Sequence, residues 1–114
     1  MRTAKQARLL RLHFSEGDRY QGKPLYEAIV DRAKTLGIAG ATVFRGLEGY
    51  GETAEIHRKH LMRHDEPIVV TIVDSAENLE RLIPEVEAMM DTGLIATSEV
   101  EAIRIERRGN PAGG

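Results

Sequence analysis

The sequence has no cysteine and no tryptophan, and only two phenylalanines and three tyrosines among 114 residues. The first absence excludes disulfides, thiolate zinc sites and cysteine nucleophiles. The scarcity of aromatic rings predicts an aliphatic core and removes the stacking pair by which RNA-binding sheets hold bases. Neither charge sign dominates: 16 Lys and Arg against 18 Asp and Glu leave a formal charge of −2. A basic face of the kind that grips nucleic acid is therefore not expected. No apolar run approaches the ~20 residues that span a bilayer. The stretch from Met1 to Ala7 is polar and is not a signal peptide. The cytoplasm is the expected compartment.

What is present is an ordinary globular composition, 41% apolar, in a chain of the length of one domain. A single domain over residues 1–114 is expected, ordered from about 7 to 107, with a disordered tail from Gly109 to Gly114. From about Ala7 to Phe14, Leu10, Leu12 and Phe14 alternate with Leu9, Arg11 and His13, the period of a strand. Tyr20 to Lys23 forms a connector, and Pro24 is placed to open a helix. Leu25, Ile29, Ala33 and Leu36 recur at helical spacing, and Gly37 is the expected C-terminal cap.

Ala41 to Leu47 predicts a second strand, which runs into Gly46-Leu47-Glu48-Gly49-Tyr50-Gly51. Glu52 to Glu66 lacks a firm pattern and is expected to be a partly helical, mobile connection. Ile68 to Val73 is a continuous β-branched run suited to a central strand. Asp74 or Ser75 caps a second helix with an apolar stripe of Leu79, Leu82, Ile83, Val86, Met89 and Met90. Pro84 inside that helix predicts either a bend or a regular part that starts near Ile83. Gly93 is expected to end the helix, and a last strand is clearest at Ala102 to Ile105.

The order is βαβ, a long connection, then βαβ. Interleaved, the two units form an α+β ferredoxin-like βαββαβ fold, a four-stranded antiparallel sheet with two helices on one face. The other face stays uncovered. If Leu9, Val69 and Ile103 lie on it, burial against another subunit is expected, with His13 at the contact.

The stretch Leu36 to Val43 followed by Gly49-Tyr50-Gly51 resembles the PII signalling proteins, in which a Gly-x-Thr-Val strand ends in Gly-Phe-Gly. Phe44-Arg45-Gly46, Asp65 to Val70, and Met89 to Ile95 are similar to the PII-like family labelled domain of unknown function 190. The resemblance covers about Leu9 to Arg107. It implies a homotrimer with a small effector, an adenine nucleotide above all, in the clefts between subunits. It further implies a loop between the second and third strands that engages a partner, a membrane transporter or an enzyme.

Carried over, Thr42 lies near the base, and Gly49, Tyr50 and Gly51 bring backbone to phosphate. Gly93 shapes the neighbouring loop, and Arg104 brings charge from the last strand. Arg45 and Arg107 are further candidate donors. Glu52, Leu94 and Glu106 stand where PII proteins carry cations, which implies a less charged ligand than a triphosphate. No obligatory cofactor is implied.

His57, His60 and His64 form a different constellation. On a helix they would share one side and could hold a transition metal, so a metal-binding trimer is the alternative. Basic neighbours Arg58, Lys59 and Arg63 equally suit a solvated helix. No nucleophile elbow or comparable motif organises Ser15, Glu16 or the scattered carboxylates, so catalysis is not expected.

Overall fold

A computed structural model describes residues 2–46 and 66–107. Among the described residues, six strands and two helices follow in the order β1 (Arg2–Ser15), β2 (Arg19–Tyr20), β3 (Lys23–Pro24), α1 (Leu25–Thr35), β4 (Thr42–Arg45), β5 (Pro67–Asp74), α2 (Ala76–Met89) and β6 (Leu94–Ile105). Four strands form one antiparallel sheet in the order β4-β5-β1-β6. That is the ferredoxin-like interleaving expected of two split βαβ units.

Strand alternation decides what is buried. Leu10 and Leu12 of β1, Ile68, Val70 and Ile72 of β5, Leu25 and Ile29 of α1, and Leu79, Leu82 and Val86 of α2 are all at most 2% exposed. Burying each such side chain contributes about 1.5–3 kcal/mol. Across the two helices, Arg32 donates to the Glu85 carboxylate, and the Arg81 guanidinium donates to the Leu36 carbonyl at 2.6 Å. A connected aliphatic core with polar ties at its rim results.

The ends of the helices differ from the expected ones in instructive ways. Pro24 sits one residue before α1 and closes a tight hairpin with Arg19 and Tyr20. Gln21 and Gly22 take positive φ angles of 49° and 85° at its tip, the geometry that matches hairpin twist. Leu36 is the cap residue of α1, and Gly37 follows it at φ 82°. Its N–H donates to Lys34 and that of Ile38 to Ala33, which together satisfy the last carbonyls of the helix.

Ser75 caps α2 by accepting the Asn78 N–H at 3.1 Å. The helix passes through Pro84 without interruption. Pro84 and Glu80 are both exposed, so the carbonyl left without an amide partner faces water. Gly93 does not end α2, which stops at Met89.

The first and last strands are both longer than expected. β1 starts at Arg2, not Ala7, and β6 runs from Leu94 to Ile105, not from Ala102. β5 pairs with β1 only from Arg8 onward, whereas β6 follows β1 from His13 down to Arg2. Residues 2–7 and 100–105 thus project as a two-stranded ribbon beyond the four-stranded part.

Thr42, Phe44, Val69, Val73, Leu9, His13 and Leu94 alternate onto the face away from the helices. Phe44 is 55% and Leu94 58% exposed there. Ile103 does not join them. It pairs with Ala4, and strand alternation sends it to the other side together with Ile105.

Candidate functional site

The expected ligand residues fall into two groups at opposite ends of the sheet. Thr42 is exposed on β4 opposite Thr71, and Arg45 ends that strand opposite Ile68. Leu94, next to Gly93, pairs with His13, whereas Arg104 pairs with Thr3 at the far end of β1. Ten residues of strand at ~3.3 Å each put Arg104 ~33 Å from Leu94. Arg107 is exposed beyond β6. Among the described residues of one chain, the two groups do not meet.

Gly49, Tyr50 and Gly51 lie outside the described residues, as do His57, His60 and His64. Among the described residues, no three His, Asp or Glu side chains gather as a metal site. His13 is half-buried on the face away from the helices.

Two of the expected residues have internal partners. The guanidinium of Arg45 donates to the carboxylate of Glu16, in the turn after β1. Gly93 has φ 138°, and a Cβ there would lie 2.5 Å from the His13 carbonyl oxygen and 2.6 Å from Met90 Cε. The glycine is needed for the close approach to β1, whatever else the loop does.

Arg104 lines a cavity of about 450 Å³ with Thr3, Lys5, Ala7, Asp74 and Ser75. Asp74 accepts the Ala39 N–H at 2.9 Å, the Ser75 N–H at 2.7 Å and the Asn78 side-chain amide at 2.8 Å. Partial burial pushes its carboxyl up, but these donors and the charge of Lys5 outweigh that and hold it below the ordinary carboxylate value. Its oxygens are occupied by these donors. Lys5 and Arg104 make no ion pair among the described residues. The cavity therefore brings two cations, Lys5 and Arg104, beside one carboxylate whose oxygens are already engaged, with Ala7, Val73 and Ile103 as apolar lining, a setting for a small anion or an acidic side chain.

Lys5 escaped sequence reasoning because nothing marked residues 2–6 as strand. Glu16 escaped it because its partner is 29 residues away. Arg2-Thr3-Ala4-Lys5-Gln6 shows no apolar alternation that would signal the first. Nothing local signalled the second.

With the geometry in view, the fold defines a class, since solved structures of PII-like proteins share it. CPII of Thiomonas intermedia K12, a nitrogen regulatory PII-like protein bound to ADP, AMP and bicarbonate, aligns with a TM-score of 0.62 at 15% identity, covering 88% of this chain and 98% of that one. A PII-like signaling protein of Thermus thermophilus aligns with a TM-score of 0.55 at 16% identity, covering 95% of this chain and 96% of that one.

Sequence comparison carries the assignment to a family. A UPF0166 protein of Aquifex aeolicus is 42% identical over 105 residues, 90% of this chain and 98% of the relative. Another from Methanocaldococcus jannaschii is 31% identical over 106 residues, 89% of this chain and 95% of the relative. Residues 7–102 match the family DUF190, described as an uncharacterized ACR, and the chain belongs to that family. Among the described residues no helix is long and apolar enough to cross a membrane.

Proposed function

We propose that this protein is a PII-like regulator, a homotrimer that binds a small anionic effector, an adenine nucleotide, in clefts between subunits. Occupancy would pass to a partner, a transporter or an enzyme, through the connection between β4 and β5. The observation that carries this reading is the ~33 Å separation along β6 between the Gly93 end and Arg104. Candidate ligand residues that cannot meet within one chain can meet across two. The exposed apolar side chains Phe44, Val73 and Leu94 supply a face for such a contact.

Thr42 of one subunit, with Gly49, Tyr50, Gly51 and Gly93, would face Arg104 and Arg107 of the next, and Arg45, on the helix side at the end of β4 opposite Ile68, would reach the ligand past the strand end. The solved relative CPII, bound to ADP, AMP and bicarbonate, supports the ligand class. Leu94, exposed and apolar, stands where a PII cation is expected and favours a mono- or diphosphate over a triphosphate. A bound ligand shifts the connection only by preferring one of its states.

A thermal-shift series with AMP, ADP and ATP tests this reading. A ligand that binds only the folded state at 100 times its Kd stabilises by about 2.7 kcal/mol. AMP or ADP is expected to raise the Tm, and Arg104→Ala to abolish the rise. Silence from all three nucleotides would overturn the ligand class.

A further inference from the structure

Arg45, a candidate anion donor, is already engaged. Its guanidinium donates to one carboxylate oxygen of Glu16. The second oxygen of Glu16 faces the Glu66 N–H at 3.5 Å, and the Glu16 N–H donates to the Glu66 carbonyl at 2.8 Å. Beside them, the Gly46 N–H donates to the Pro67 carbonyl at 2.7 Å. One carboxylate therefore touches both the chain leaving β4 and the chain entering β5.

The two partners differ in exposure. The Glu16 side chain is 26% exposed and that of Arg45 55%. The acid is held from two sides, whereas the arginine keeps much of its guanidinium open to solvent. An anion that approaches Arg45 meets a cation whose charge is already compensated.

We propose that Glu16 is an affinity-setting residue, which competes with the bound anion for Arg45. The proposal rests on Arg45 serving as a ligand donor, as the function above has it. An anion that takes Arg45 leaves Glu16 with only its contacts to Glu66, so occupancy at the end of β4 is felt at the start of β5. An exposed ion pair of this kind corresponds to a factor of about two to five in an equilibrium.

The test uses the full chain and calorimetric titration of AMP and ADP. Glu16→Gln, which keeps the shape and removes the charge, is expected to tighten binding about two- to fivefold. Arg45→Gln is expected to weaken it, and adding Glu16→Gln to Arg45→Gln to change nothing further. Equal or weaker binding by Glu16→Gln overturns the proposal. So does the same tightening in the Arg45→Gln background, which would mark a general charge effect.

If neither nucleotide binds, the nucleotide reading fails, and the competition is decided with inorganic phosphate. The Arg45 Nε–H resonance should then move at lower phosphate in Glu16→Gln than in the parent. Movement at the same concentration in both, or in neither, overturns it.

Discussion

β1 is one strand living in two environments. From Arg8 to Ser15 it lies between β5 and β6 beneath both helices, and Leu10 and Leu12 there are fully buried. From Arg2 to Ala7, β6 is the one strand that pairs with it among the described residues, and five of those six residues are exposed. A two-stranded ribbon is marginal in water, because neither face can be shielded. The first half explains why the chain folds. The second half requires a reason outside the single chain, and the proposed assembly provides one.

The sharpest way to break this contrast is to damage the covered half. Leu12→Ala removes a fully buried side chain from the helix-facing side of β1. It is expected to lower stability by about 2–5 kcal/mol, read as a shift in the urea midpoint. The same truncation at Ile103, 44% exposed on the ribbon, should cost far less. Equal losses at the two sites would mean that the ribbon is packed as tightly as the core.

The next effect falls where the covered half ends. Gly93 combines φ 138° with a Cβ position 2.5 Å from the His13 carbonyl, while Gly37, at φ 82°, has open space around its own. Gly93→Ala is expected to cost about 2–3 kcal/mol and Gly37→Ala about 1 kcal/mol. Thermal unfolding of the two variants measures the difference. If the order reverses, the close approach to β1 does not constrain the Gly93 turn.

The same contrast accounts for what the sequence disclosed. Leu10, Leu12 and Phe14, and the stripes of α1 and α2, bury one side against each other, so their periods stood out. The βαββαβ order followed from them. Residues 2–6 carry no such period, and all five are exposed, with no layer of the described core packed on them. The start of β1 is therefore not legible in the sequence, and of Leu9, Val69 and Ile103, named as the side chains that could line the uncovered face, Ile103 lies on the other side.

Of the candidate site, Arg104 and Gly93 could be named from motif resemblance. That Arg45 is held by Glu16, and that Lys5 shares a cavity with Arg104, depends on pairings fixed only by the folded sheet. Asp74 or Ser75 was legible as the cap, and of the two Ser75 makes the capping bond while Asp74 ties the α1–β4 loop to β5.

Asp74 marks the boundary between the two regimes, and its titration is the next smaller effect. Its carboxyl is held below the ordinary value in the folded state despite the cost of burial. A depressed folded pKa means stability that is fully present above the unfolded value, about 3.9, and lost as pH falls through the folded one. Asp74→Asn is expected to cost about 1 kcal/mol near pH 7. Denaturation at a series of pH values should show parent and variant converging below about pH 4. A gap that persists into acid would place the role of Asp74 in its shape, not its charge.

The smallest effect on the fold should have the largest effect on assembly. Leu94 is 58% exposed in the single chain, so Leu94→Asp is expected to change chain stability by no more than about 0.5 kcal/mol. If its face meets another subunit, burying that carboxylate without a partner is unfavourable, and the complex should dissociate. Sedimentation should then show the mass of one chain, 12.7 kDa, for the variant and a multiple of it for the parent. Hydrogen exchange separates the two halves of β1 in the same experiment. Dissociation should strip protection from the amides of residues 2–7 while those of Leu10 to Phe14 keep theirs, because only the former depend on a neighbour. Loss of protection along the whole strand would mean that the covered half depends on assembly too.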